Sequence, residues 1–113
     1  MTIYKIALAP DWDAAEKAGV FEGSSHDKHD GFIHFSTESQ LAETLALYYA
    51  GVDGLLLVAV DDAALGPALK WEHAPSRGED FPHLHGPLPL SAVRWARPIG
   101  RDAASVAVLP ELC

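Results

Sequence analysis

The sequence predicts an α+β fold: one small domain over residues 1–113, with a mixed or antiparallel sheet and two main helices. Three observations carry that reading. The chain has 113 residues, 49% of them hydrophobic, enough length and apolar content for one ordinary core and too little for two. Both helical patterns fall in the first half of the chain. Strand-like apolar runs lie on either side of them, without the regular strand–helix alternation of a parallel sheet.

Ile3 to Ala9 alternates weakly, Ile3 and Lys5 against Tyr4, Ile6 and Leu8, and reads as the first strand. Pro10 stops it, because proline has no N–H for a ladder. Asp11 offers an N-cap for a helix through Ala18, closed by Gly19. Gly23 to His29 is polar throughout and reads as a surface loop. Asp30-Gly31 is a turn signal, and Phe32 to Ser36 a strand. Thr37-Glu38-Ser39-Gln40 has the spacing of a capping box for the second helix, which runs to about Tyr49 before Gly51. Leu41, Leu45 and Tyr48, with Thr44 beside them, form its apolar stripe. Leu55 to Val60 is a continuous apolar run too short for a helix, hence a central strand buried on both faces. Ala68 to His73 is a further strand, Pro75 to Asp80 a charged loop and Phe81 to Pro89 a proline-studded extended segment. Ala92 to Ile99 is the last full strand. Residues 100–113 are expected to form a loosely held tail, in which Ser105 to Leu109 has the pattern of an edge strand.

Composition excludes several classes of function. Sixteen acidic residues against eight Lys plus Arg give a net charge of −8 with His neutral, a balance that repels a phosphate backbone, so no nucleic-acid partner is expected. Cys113 is the only cysteine, which rules out a disulfide framework and a cysteine zinc site. Its terminal thiol predicts nothing beyond a disulfide dimer on storage. Met1 to Lys5 lacks the pattern of a signal peptide, and Leu55 to Val60 is far short of the ~20 apolar residues of a membrane span. A soluble, cytoplasmic monomer with a small-molecule partner is expected.

Histidine is the anomaly. The six (His26, His29, His34, His73, His83 and His85) fall in three groups beside turns, and imidazole titrates near neutrality, ligates metals and moves protons. His34 interrupts an apolar strand just before Ser36 and Thr37. Thr37 explains itself as a cap; His34 is either a core residue satisfied by one hydrogen bond or part of a site. His83 and His85 flank Leu84 and so face one way, as does Phe81. Glu72, between Trp71 and His73, is either a solvated strand carboxylate or an acid–base group raised by desolvation beside an indole. Asp27-Lys28-His29-Asp30 reads as a solvated loop or a lid. Trp12 plugs the core or floors a ligand pocket. Lys5, Lys70, Arg77, Arg94, Arg97 and Arg101 are scattered, and no Gly-rich phosphate loop or nucleophile elbow is present.

Together, Ile3-Tyr4-Lys5-Ile6, Trp12, Asp30-Gly31-Phe32-Ile33-His34-Phe35-Ser36-Thr37 with Gln40, Lys70-Trp71-Glu72 and Phe81-Pro82-His83-Leu84-His85-Gly86-Pro87-Leu88 resemble the bacterial domain-of-unknown-function family numbered 952. The resemblance covers the chain up to about Val93. That family is in turn similar to the ADP-ribosyltransferase-like fold, which binds NAD in a cleft between two small sheets. The resemblance implies that Tyr4 and Lys5 hold the NAD ribose and that Glu72 polarises the nicotinamide ribose. Lys5 departs from it, standing where the family often has His. An ammonium on a flexible stem does not replace an imidazole's fixed donor and acceptor.

The leading reading is therefore a His-lined polar pocket that binds NAD or a related nucleotide. His34, Glu72 and His83 form its catalytic set, and Tyr4, Lys5, Trp12, Ser36, Thr37, Phe81 and His85 contact the ligand. NAD is the candidate cofactor, and no metal is assigned. One alternative is a non-catalytic domain that binds a small ligand or a protein. Another is a metal-dependent hydrolase in which His34, His83 and His85 hold the ion and leave a position open for water.

Overall fold

In the computed structural model, which describes residues 1–103 and 106–112, the uninterrupted apolar run becomes the middle strand of a sheet. That strand, β4 (Leu55–Asp61), lies between β1 (Thr2–Leu8) and β8 (Val93–Pro98) and is antiparallel to both. It has core on each face. Alternation along β1 sorts the two cores: Ile3 and Ala7 join Trp12, Phe21, Phe35 and Val58, while Tyr4 and Ile6 join Leu41, Leu45 and Leu57. Lys5 lies in register with Ile3 and Ala7, so its ammonium starts from an apolar face and needs a partner there.

A second sheet has the order β3 (Ile33–His34), β6 (Glu79–Leu84), β5 (Leu69–Ala74), again antiparallel. Short ladders pair β2 (Val20–Phe21) with β7 (Leu88–Pro89), and β9 (Gly100–Arg101) with β10 (Ala107–Val108). The class is α+β, and the ladders among the described residues are antiparallel. Strands that the sequence places in one sheet are divided between two. The segment after β3 joins them: Tyr4 and Ser36 exchange both backbone hydrogen bonds at 2.8 Å, and the Phe35 N–H donates to the Pro82 carbonyl at 3.0 Å. A chain shared by both sheets brings Lys5, His34 and Ser36 up to β6.

Helix α1 (Ala9–Ala18) starts three residues earlier than an N-cap at Asp11 implies, with Leu8 as N-cap and Pro10 in the first turn. A first-turn N–H has no partner anyway, so Pro10 ends the strand by opening the helix. Gly19 closes it with φ 81°. The expected loop over 23–29 is largely helical, α2 (Ser25–Asp30). Ser24 and Asp27 cap it reciprocally, the Asp27 N–H donating to Ser24 Oγ at 3.2 Å and the Ser24 N–H to Asp27 Oδ2 at 2.9 Å. Its composition hides it, because so short a helix is set by its cap and shows no apolar stripe. Gly31, at φ 85°, then turns the chain back into β3.

The Thr37–Gln40 box is present. Gln40 Oε1 accepts the Thr37 N–H at 3.0 Å, while Gln40 Nε2 donates to the Asp80 carbonyl at 2.9 Å and ties the turn to β6. A 3-10 turn, Glu38–Gln40, leads into α3 (Leu41–Tyr48), with Leu41 and Leu45 buried. Tyr48, expected in the same stripe, is exposed. Ser105, where the expected edge strand begins, and Cys113 lie outside the described residues. Among the described residues no helix is long and apolar enough to cross a membrane.

Candidate functional site

The join between the sheets leaves a cleft of about 590 Å³, walled on its other side by α3 and the β5–β6 turn. Lys5, Asp27, His34, Ser36, Arg77 and His83 all line it. At its base Lys5 Nζ donates to Asp27 Oδ1 at 2.9 Å and lies 2.8 Å from Oδ2, with the two side chains only 3% and 2% exposed. Asp27 Oδ1 also accepts from His34 Nδ1 at 2.6 Å and from the His34 backbone N–H at 3.2 Å. Burial alone would raise the Asp27 pKa. The His34 hydrogen bond, the Lys5 charge and hydrogen bond and the Ser24 N–H outweigh it and hold the carboxyl far below the usual range. For Lys5 burial wins: its pKa is lowered despite the pull of Asp27 and, more weakly, Asp11.

His83 faces His34 directly in the β3–β6 register, with ring centroids 5.4 Å apart. Its Nδ1 lies 2.9 Å from Glu72 Oε1, which also meets His85 Nε2 at 2.7 Å. Phe32 stacks on the His83 ring at 4.1 Å. His34 and His83 thus each have Nδ1 held by a carboxylate, which fixes ring orientation. Glu72 has its pKa lowered by the hydrogen bonds from His85 and His83, so the expected rise beside an indole does not occur.

For His83 itself, burial lowers the pKa and outweighs the hydrogen bond to Glu72, which raises it. In metal-free protein its imidazole is expected to titrate below 6.5. Glu72→Gln should move the midpoint further down, since it removes the partner that favours the protonated ring. NMR of the ring protons against pH checks both, and a midpoint above 6.5 in the wild type would contradict the burial. The sign for stability follows: with a folded pKa below the unfolded one, His83 contributes stability above about pH 6.5, lost as pH falls through the folded value.

Arg77 closes the far end. Its Nε donates to Glu43 Oε1 at 2.7 Å and its Nη1 to Thr44 Oγ1 at 3.1 Å, while the guanidinium carbon sits 4.6 Å from the Phe81 ring centre. Its Nη2 is buried without an acceptor among the described residues.

A family model described as "Protein of unknown function (DUF952)" matches residues 6–96, most of the chain. The chain belongs to the DUF952 family. Its fold is also that of protein CC0527 from Caulobacter crescentus, whose crystal structure is 44% identical, with a TM-score of 0.88 over 95% of this chain and 93% of that one. The solution NMR structure of the same Caulobacter crescentus protein gives 45% identity and a TM-score of 0.82, over 93% and 90% of the two chains. No curated protein matches.

In this DUF952 domain, Lys5, His34, Ser36, Phe81 and His83 of the sequence-derived set line the cleft. Glu72 instead pairs with both His83 and His85. Trp12 lies in the core with its ring 5.6 Å from Phe21, Tyr4 is buried 6.1 Å from Trp95, and Thr37 serves as a cap. Among the described residues, the donor atoms that lie within 4.8 Å of one another are those of His26, Asp30 and His34, not those of His34, His83 and His85. Asp27, Asp30, Thr44 and Arg77 are cleft residues that the sequence reading left out. The Ser-x-x-Asp spacing at Ser24–Asp27 was a legible signal for α2. No local signal marked Arg77, which the β5–β6 turn delivers.

Proposed function

We propose that the cleft binds a small anionic molecule with a flat ring, of the nucleotide class to which NAD belongs. The observation that carries this reading is the unpaired Nη2 of Arg77. A buried donor without an acceptor costs about 1–3 kcal/mol, and a phosphate or carboxylate oxygen is the acceptor that a guanidinium fits best. Lys5, Ser36 and His83 add polar groups in the same cleft, and Phe81 and Tyr48 add ring faces. Tyr48 is 59% exposed, and its ring centre lies 6.0 Å from the guanidinium carbon. The reading is one of binding without ADP-ribosyl transfer. Tyr4 is packed in the core, Lys5 is paired with Asp27, and Glu72 is held by two histidines.

NAD titrated into chelator-treated protein is expected to shift the Arg77 side-chain and His83 ring NMR signals and to saturate. Arg77→Met should abolish saturation while thermal melting shows the fold retained; Arg77→Lys serves as the second variant if the methionine form does not fold. Absence of any shift with millimolar NAD, ADP-ribose or inorganic phosphate would overturn the proposal.

A further inference from the structure

We infer that His26, Asp30 and His34 form a site for one divalent transition-metal ion of the zinc or cobalt type. The three donor atoms lie within 4.8 Å of one another. The local sequence builds the cluster. His26 and Asp30 are four residues apart on α2, so they share a face of its short helix. The left-handed Gly31 reverses the chain, and β3 then returns His34 alongside them.

His34 Nε2 is 2.9 Å and His26 Nε2 3.5 Å from Asp30 Oδ2. A tetrahedral ion with bonds of 2.0–2.1 Å needs donors roughly 3.3–3.4 Å apart. The two spacings to Asp30 lie close to that, while the His26 and His34 rings stack with centroids 4.8 Å apart and planes 21° from parallel. The adjustments needed are therefore a small shift at Asp30 and a turn of the His26 ring that aims its Nε2 at the ion. The His26 side chain, 72% exposed, is free to turn.

The setting of His34 is the second observation. Its Nδ1 donates to Asp27 at 2.6 Å, and Asp27 is itself clamped by Lys5 and the Ser24 N–H. Metal-bound histidines characteristically donate their other ring N–H to a carboxylate in this way, which fixes the tautomer and aims the free nitrogen at the ion. Here the nitrogen so aimed is Nε2, and it points at Asp30. Two imidazole nitrogens and one carboxylate oxygen suit a borderline ion; calcium and magnesium favour all-oxygen shells. All three residues also line the cleft, so a fourth coordination position would open onto it. The net charge of −8 favours a cation.

The test uses the full chain without a histidine tag, stripped with chelator. Calorimetry with Zn²⁺ and visible absorption with Co²⁺ are expected to show one ion per chain and the spectrum of a nitrogen–oxygen site. His26→Ala and Asp30→Asn, at positions whose side chains reach solvent, should each weaken binding at least about tenfold, a loss that even outer-shell changes at metal sites can cause. His73→Ala, at a side chain 60% exposed on β5 and outside the cleft, should leave it unchanged. Absence of binding, or binding insensitive to His26→Ala and Asp30→Asn, overturns the inference, as does an equal loss on His73→Ala. The NAD titration is run in chelator, so either result stands without the other.

Discussion

Asp27→Ala is expected to destabilise the fold by about 3–5 kcal/mol, because it leaves the Lys5 ammonium buried without its carboxylate. The loss also includes the reciprocal cap of α2 and the Nδ1 partner of His34. Urea unfolding measures it. The double variant Lys5→Met/Asp27→Ala should be more stable than Asp27→Ala alone, since it removes the stranded charge and keeps an apolar stem against Ile3 and Ala7. A single-variant loss below about 1 kcal/mol would mean that the pair is solvated.

The pH dependence of that variant has a definite sign. In the wild type the Asp27 pKa is depressed, so its contribution is present above the unfolded value near 3.8 and is lost as pH falls through the folded one. Asp27→Ala should therefore show a shallower acid limb. It also strips Lys5 of the partner that raises its pKa and leaves burial to lower it further. The folded state then binds fewer protons than the unfolded state in the alkaline range, and the variant should gain stability relative to wild type as pH rises toward 10.5.

Phe35→Ala is the second large effect, also about 3–5 kcal/mol by the usual cost of emptying a buried aromatic site. Phe35 is fully buried in the core shared with Ile3 and Val58, and its backbone N–H holds Pro82. It stands between His34 and Ser36, where one segment serves both sheets. The cavity should therefore loosen the His34–His83 facing pair as well as lower stability. Chemical denaturation gives the first effect, and the loss of a distinct His83 ring signal environment gives the second. Unchanged histidine spectra in a folded Phe35→Ala protein would show that the site does not depend on this packing.

Much of the fold was legible locally. Strand β4 follows from its apolar run, and α3 from Leu41 and Leu45 behind the Thr37–Gln40 box; each depends on neighbours a few residues away. Helix α2 was harder, since polarity marks loops and short capped helices alike, and only the Ser24–Asp27 spacing separates them. His34 stood out because it breaks an apolar pattern, and His83 because it and His85 flank Leu84 and so face one way. Glu72 was legible as a strand carboxylate, but not as the group that pairs with both His83 and His85.

What the sequence determined by itself was therefore the α+β class, the central strand, the caps and the unusual histidines, all consequences of short-range pattern. Tertiary structure alone decided that residues 33–36 serve two sheets and that β3 meets β6 with His34 opposite His83. It also decided that Lys5 finds Asp27 across 22 residues of chain and that Arg77 reaches Glu43 and Thr44 from the β5–β6 turn. The physical reason is register. Alternation says which side chains share a face of a strand, but which strand lies opposite, and at what offset, is set by the whole core closing at once.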